Sequence, residues 1–165
     1  MFTLTKAMPG DEALCLEIIA DGRQFQQEQG FVQWTEAYPI LPDIAEDIET
    51  QRAWLLREGD TVLGYLCLDF DGEPAYDAIT GGSWLCDEPY AVLRRLALNA
   101  RGRGLTRVLF DLAAERSREQ GITYLRLNIG LQNSRMQHIL EKVGFEKRGI
   151  IIFQGSGKFA YEKRI

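Results

Sequence analysis

The chain has 165 residues, 45% hydrophobic and 26% charged, which suits one globular domain with a sizeable core. Nineteen basic residues against 24 acidic ones leave a net charge of −5, which argues against a general nucleic-acid binder, whose footprint is basic. No apolar run approaches the ~20 residues that cross a bilayer, so no membrane partner is expected.

Phe2 to Lys6 alternates as a strand does. Asp11 is placed to cap a helix carrying Leu14, Leu16, Ile18 and Ile19 and ending near Gly22. A loop follows from Gly30 to Pro42, and Asp43 opens a second helix with Ile44, Ala45, Ile48 and Gln51 at helical spacing. Ala53–Arg57 and Thr61–Phe70 form a hairpin around Glu58-Gly59-Asp60, and Asp71-Gly72 marks another turn. Ala91–Leu98 is a strand, followed by a Gly/Arg loop and a helix from Leu105 to Gln120 that Gly121 ends. Ile122–Ile129 alternates, with Leu125, Leu127 and Ile129 on one face and Tyr124, Arg126 and Asn128 on the other. A short helix from Ser134 to Lys142 closes at Gly144. Strands Ile150–Phe153 and Phe159–Lys163 flank a loop at Gln154–Lys158. No linker splits the sequence, so residues 1–165 read as one mixed α/β domain.

The chemistry points to Leu96–Gln120. Arg101-Gly102-Arg103-Gly104-Leu105-Thr106 leads from a strand straight into a helix. The first amides of a helix lack partners within it, and its dipole adds partial positive charge there. Glycine lets the backbone approach a ligand closely, so such a turn suits phosphate. Seven arginines lie between Arg94 and Arg118 against Asp111 and Glu115, a local excess that suits a small polyanion. Neither G-x-x-x-x-G-K-[ST] nor an N-terminal G-x-G-x-x-G is present, which leaves a triphosphate loop and a dinucleotide fold unsupported.

Arg101-x-x-Gly104-x-Thr106 resembles the R/Q-x-x-G-x-G/A signature of the GCN5-related N-acetyltransferases. Asn133, Met136, Leu140, Gly144 and Phe145 fall at the spacing of that family's N-x-x-A-x-x-x-Y-x-x-x-G-F pattern. The resemblance implies a mixed sheet of six or seven strands with about four flanking helices. Two central parallel strands, Ala91–Leu98 and Ile122–Ile129, would splay to admit acetyl-CoA. It further implies that the diphosphate sits on the amides of Arg101, Gly102, Arg103, Gly104, Leu105 and Thr106. The pantetheine arm would pair with Leu96, Ala97 and Leu98, and Asn133 would touch the cofactor from the opposite strand's end. The implied reaction is direct transfer of acetyl to a primary amine of a small molecule or protein. Dimers are frequent in such families, which leaves a homodimer open.

Three departures stand out. Thr106 replaces the last small residue of the signature, Asn99-Ala100 is a short linker, and Leu140 occupies the position of a tyrosine thought to protonate the leaving thiolate. General acid help is worth ~10²–10⁴ in rate, and here it would fall to water, Tyr76 or Tyr161. An amine of pKa ~10.4 needs a base or a desolvating pocket. Glu73, Asp77 and Glu36 are the candidates for a base, and Glu73 with Tyr76 is the pair chosen. Trp34, Tyr38 and Trp84 are expected to line the acceptor cleft.

Plainer readings stand beside these. Asn133 is in any case a good N-cap, and Trp34 and Tyr38 suit a core. His138 reads as solvated, Glu46-Asp47 as a solvated helix face and Cys67 as inert packing. No His/Cys/Asp cluster has metal-ligand spacing, so no metal is expected. Met1–Gly10 lacks an export pattern, and Cys15, Cys67 and Cys86 lack C-x-x-C spacing, so reduced thiols in the cytoplasm are expected. Two rival functions remain: a silent acyl-CoA-binding regulatory module, and a docking domain that uses the Arg94–Arg118 patch for RNA or protein.

Overall fold

The computed structural model describes residues 1–30, 34, 38–99 and 103–165. They form two compact units: Met1–Leu68 with Leu93–Ala113, and Asp69–Val92 with Ala114–Ile165.

The first unit begins with β1 (Phe2–Lys6), α1 (Glu12–Glu28) and α2 (Leu41–Glu49). The hairpin of β2 (Ala53–Glu58) and β3 (Thr61–Asp69) follows, with β1 antiparallel to β2. Ile18, Ile19, Ile44, Ile48, Leu55 and Tyr65 are buried together in its core. The helices depart from expectation at their ends. Asp11 occupies the N-cap of α1, but its carboxylate turns back to accept from the Met8 amide at 2.8 Å. Gly22 does not end α1. It makes room, since a Cβ there would meet the Trp34 ring at 2.9 Å and the Ala97 Cβ at 3.2 Å. Asp43 does not open α2 but lies in its first turn, where Oδ2 accepts from the Ile40 amide at 2.8 Å. Gln51 falls beyond the helix, at φ +59°.

The second unit holds β5 (Tyr124–Gly130), α4 (Ser134–Lys142), β6 (Glu146–Phe153) and β7 (Ser156–Arg164). β7 pairs antiparallel with both β5 and β6. The expected loop at Gln154–Lys158 shortens to the two-residue turn Gln154-Gly155, with φ +52° and +80°, because two left-handed residues match strand twist. The strands lengthen to meet it. Beyond the expected turn at Asp71-Gly72, Pro74–Ala78 forms a 3₁₀ turn.

β4 (Ala91–Leu98) and α3 (Leu105–Glu119) each run from one unit into the other, and both match their predicted spans closely. Strand order among the described residues is β1-β2-β3-β4-β5-β7-β6, a mixed seven-stranded sheet whose β4 and β5 are parallel. The parallel register pairs Ala91 with Leu125 and Val92 with Arg126, at the start of both strands. No helix among the described residues is long and apolar enough to cross a membrane.

Candidate functional site

In the first unit the second half of β4 leads toward the start of α3. Ala97 is buried, and Leu96 and Leu98 are half-buried. Gly64 of β3 lets this backbone come close: a Cβ there would meet the Ala97 carbonyl at 3.0 Å and Leu98 Cδ2 at 2.7 Å. The Asn99 amide then donates to the Leu63 carbonyl at 3.0 Å. Of the predicted diphosphate cradle, Arg101 and Gly102 lie outside the described residues. Arg103 is exposed and ion-paired with Glu58 at 3.0 Å. Gly104 has φ +67°, a conformation suited to glycine, and among the described residues nothing lies within 4 Å of where its Cβ would stand. Leu105 is buried and anchors α3, while Thr106 is half-buried in the first turn. The amides of that turn have no acceptor within the helix, so the backbone here fits an anionic group.

Beside it lies a cluster the sequence did not announce. Asp47, expected on a solvated helix face, is buried: it falls one turn after Ile44 and beside Ile48, on the apolar stripe of α2. Arg95 Nη1 donates to its two oxygens at 3.0 and 3.1 Å, and the Tyr65 hydroxyl donates to Oδ2 at 2.5 Å. Burial pushes the Asp47 carboxyl upward against the pull of Arg95 and Tyr65. Burial also raises the Cys67 thiol to about 12, which fits inert packing. The Tyr38 ring lies over the Arg95 guanidinium, 5.4 Å from its centroid. Trp34 is a core residue; its amide donates to Gln26 Oε1 at 2.8 Å.

In the second unit Asn133 caps α4, its Oδ1 accepting from the Met136 amide at 3.1 Å. Leu140 is fully buried. Glu73 caps the 3₁₀ turn, accepting from the Ala75 amide at 3.0 Å. Tyr76 is fully buried and its hydroxyl accepts from Asn128 Nδ2 at 2.9 Å. Glu73 and Tyr76 thus hold structure whatever part they take in proton transfer. Tyr161 is buried too, without a hydrogen bond of ordinary length, and burial followed by the Glu141 carboxylate raises its phenol. Trp84 donates its indole N–H to the Tyr76 carbonyl at 2.8 Å. Its ring face covers Arg126 at 4.4 Å, and Tyr90 covers the same guanidinium at 4.1 Å.

Arg126 corrects the expectation of a polar outer face on β5. It is buried, with Nε bonded to Glu162 Oε2 at 2.6 Å and an Nη to the Cys86 carbonyl at 2.8 Å. Burial on both faces of β5 defeats the alternation rule, because a polar residue counts as outward only where that face meets water. His138 is exposed, as expected. Among the described residues no group of His, Cys, Asp or Glu is placed to hold a metal ion.

A parallel strand pair followed by a glycine turn and a helix start, within a mixed seven-stranded sheet, defines an α/β fold of the acyltransferase kind. The sequence pattern of the Acetyltransferase (GNAT) family matches residues 19–145, and the chain belongs to that family. It is similar to an acetyltransferase of the GNAT family from Streptococcus agalactiae, at 30% identity and TM-score 0.91, over 99% of this chain and 95% of that one. At fold level it also resembles the PaiA N-acetyltransferase of Thermoplasma acidophilum in complex with coenzyme A (17% identity, TM-score 0.73, 100% and 99% of the chains). A third likeness is to AAC(6')-Ib in complex with parmomycin and acetyl-CoA (20% identity, TM-score 0.71, 99% and 93%). No curated protein is significantly similar in sequence.

Proposed function

We propose that the protein transfers an acetyl group from acetyl-CoA to a primary amine of a small molecule or protein. Gly104 carries this reading: its left-handed backbone opens α3, and among the described residues nothing stands where its Cβ would be, which suits a diphosphate beside the first-turn amides. The parallel β4–β5 ladder supports it: it pairs Ala91 and Val92 at the start of β4, and a pantetheine arm would pair with the main chain of Leu96–Leu98 further along the strand. When bound, acetyl-CoA supplies the activated acyl carbon. The chain's part is to orient the thioester along β4 and hold its diphosphate at Arg101–Thr106. Asn133 lies at the start of α4, beyond β5. Trp34, Tyr38 and Trp84 are assigned to the acceptor side. Glu73 and Tyr76 are the assigned proton-transfer pair, and a reduced cytoplasmic setting suits the free cysteines.

The test is release of free thiol from acetyl-CoA across a panel of polyamines, aminoglycosides and peptide amines. Glu73→Gln and Tyr76→Phe are assayed beside the parent. Turnover with at least one amine, reduced in both variants, supports the assignment; unchanged kinetics in both remove the pair from the site.

One observation favours a second reading. Leu140 is fully buried where the family pattern has tyrosine, and it has no proton to give. A silent acyl-CoA-binding module would bind acetyl-CoA and release no thiol with any amine. The docking role gains no such support. Arg95, Arg103 and Arg116 are each ion-paired with an acid, so the basic run presents less free charge than its composition suggests.

A further inference from the structure

Arg95 has φ +50° in the middle of β4, a conformation that residues with side chains rarely adopt. Such a residue persists only where its surroundings hold it. Here the hold is its own side chain, which is 13% exposed and reaches Asp47 with both carboxylate oxygens in range. Asp47 is fixed in turn. Its helix buries Ile44 and Ile48 in the core of the first unit, and the fully buried Tyr65 donates to it from β3. The Arg95 Nε is enclosed with no acceptor among the described residues, the Asp47 carboxylate takes the bonds of Nη1, and the Tyr38 ring covers the guanidinium. Downstream, β4 is tied a second time where the Asn99 amide meets the Leu63 carbonyl. Leu96, Ala97 and Leu98 lie between the two ties.

The structure assigns Asp47 as a positioning residue for the thioester carrier: through Arg95 it holds the left-handed turn that sets how the Leu96–Leu98 main chain is presented. This rests on the reading that those three residues receive the pantetheine arm. Asp47 itself touches no substrate. Its influence passes through a backbone angle, which makes it separable from simple loss of a buried ion pair.

That separation decides the experiment. Coenzyme A affinity is measured by calorimetry for the parent, Asp47→Asn, and the double variants Asp47→Asn/Arg95→Gly and Asp47→Asn/Arg95→Ala. Urea midpoints are recorded alongside. Asp47→Asn is expected to weaken coenzyme A binding about tenfold or more, by the measure that a displacement of ~1 Å in a positioned group can cost ~10²-fold where orientation matters. Both double variants remove the buried charge pair, but glycine alone accepts φ +50° without strain. The glycine variant is therefore expected to bind coenzyme A several-fold more tightly than the alanine variant at equal urea midpoint. Equal affinity of the two double variants overturns the assignment, as does parental affinity in folded Asp47→Asn. Should Asp47→Asn alone fail to fold, the glycine–alanine comparison still decides. A parent chain that binds no coenzyme A would instead overturn the transferase reading itself, and this inference with it.

Discussion

Arg126 places a guanidinium between the Trp84 and Tyr90 rings and against a carboxylate that is itself fully enclosed. Glu162 also accepts from the Leu85 amide at 2.9 Å, so the pair fastens the segment before β4 onto β5 and β7. Removing Arg126 leaves the Glu162 carboxylate buried with the longer Arg148 Nε contact, at 3.5 Å, to answer it. Arg126→Met should therefore cost about 3–5 kcal/mol of unfolding free energy in urea titrations, with part recovered in the double variant with Glu162→Gln. Lys158 is a quieter case. Burial lowers its pKa from the usual 10.5, so below that value the unfolded chain binds the proton more tightly than the folded one. Stability therefore rises with pH through the window below 10.5. Lys158→Met should melt higher than the parent at pH 7, with the gap closing as the pH approaches 10.5. A gap that stays constant with pH would show that its ionisation is not the cause.

At the scale of elements, β4, α3 and α4 were legible because each carries a strong period with glycine or asparagine at its edge. Gly104 and Asn133 were legible for the same reason. A residue that must leave the ordinary backbone regions, or cap a helix, has few substitutes. What sequence did not disclose depended on the distant chain. Gly22 looked like a stop but is a clearance for Trp34, and no local signal distinguishes the two. Asp47 is the instructive miss. Its spacing from Ile44 and Ile48 pointed inward, yet an acid on an apolar stripe reads as solvated until Arg95 and Tyr65 are known to meet it. Gly104 carries the prediction at this scale. Gly104→Ala meets no neighbour among the described residues, so its expected cost is backbone strain, about 1 kcal/mol. Gly104→Val adds bulk where a diphosphate would approach. Calorimetry should show coenzyme A binding weakened in the first and lost in the second, with both still folded by circular dichroism.

For the whole molecule, the chain's net charge of −5 and its arginine-rich stretch are reconciled by pairing, since several of those arginines already answer acids of the same unit. Binding should be visible as a change in global stability. At 100 times its dissociation constant, acetyl-CoA should add ~2.7 kcal/mol to the unfolding free energy, read as a rise in melting temperature that saturates logarithmically with concentration. Thiamine diphosphate or inorganic pyrophosphate at equal concentration should add far less, because neither offers an arm to β4.

The outermost strand, β6, exposes Ile150 and Ile152, a combination that invites stacking of one molecule's border on another's. Thr80 sits across its midpoint and exchanges both main-chain bonds with Ile150, at 2.9 and 2.8 Å. Gly82 and Gly149 make that graft sterically feasible, since a methyl on either would lie within 2.4 Å of a facing carbonyl oxygen. A single threonine thus acts as a bung in the middle of this seam, the kind of cover that blunts a border against pairing with another copy.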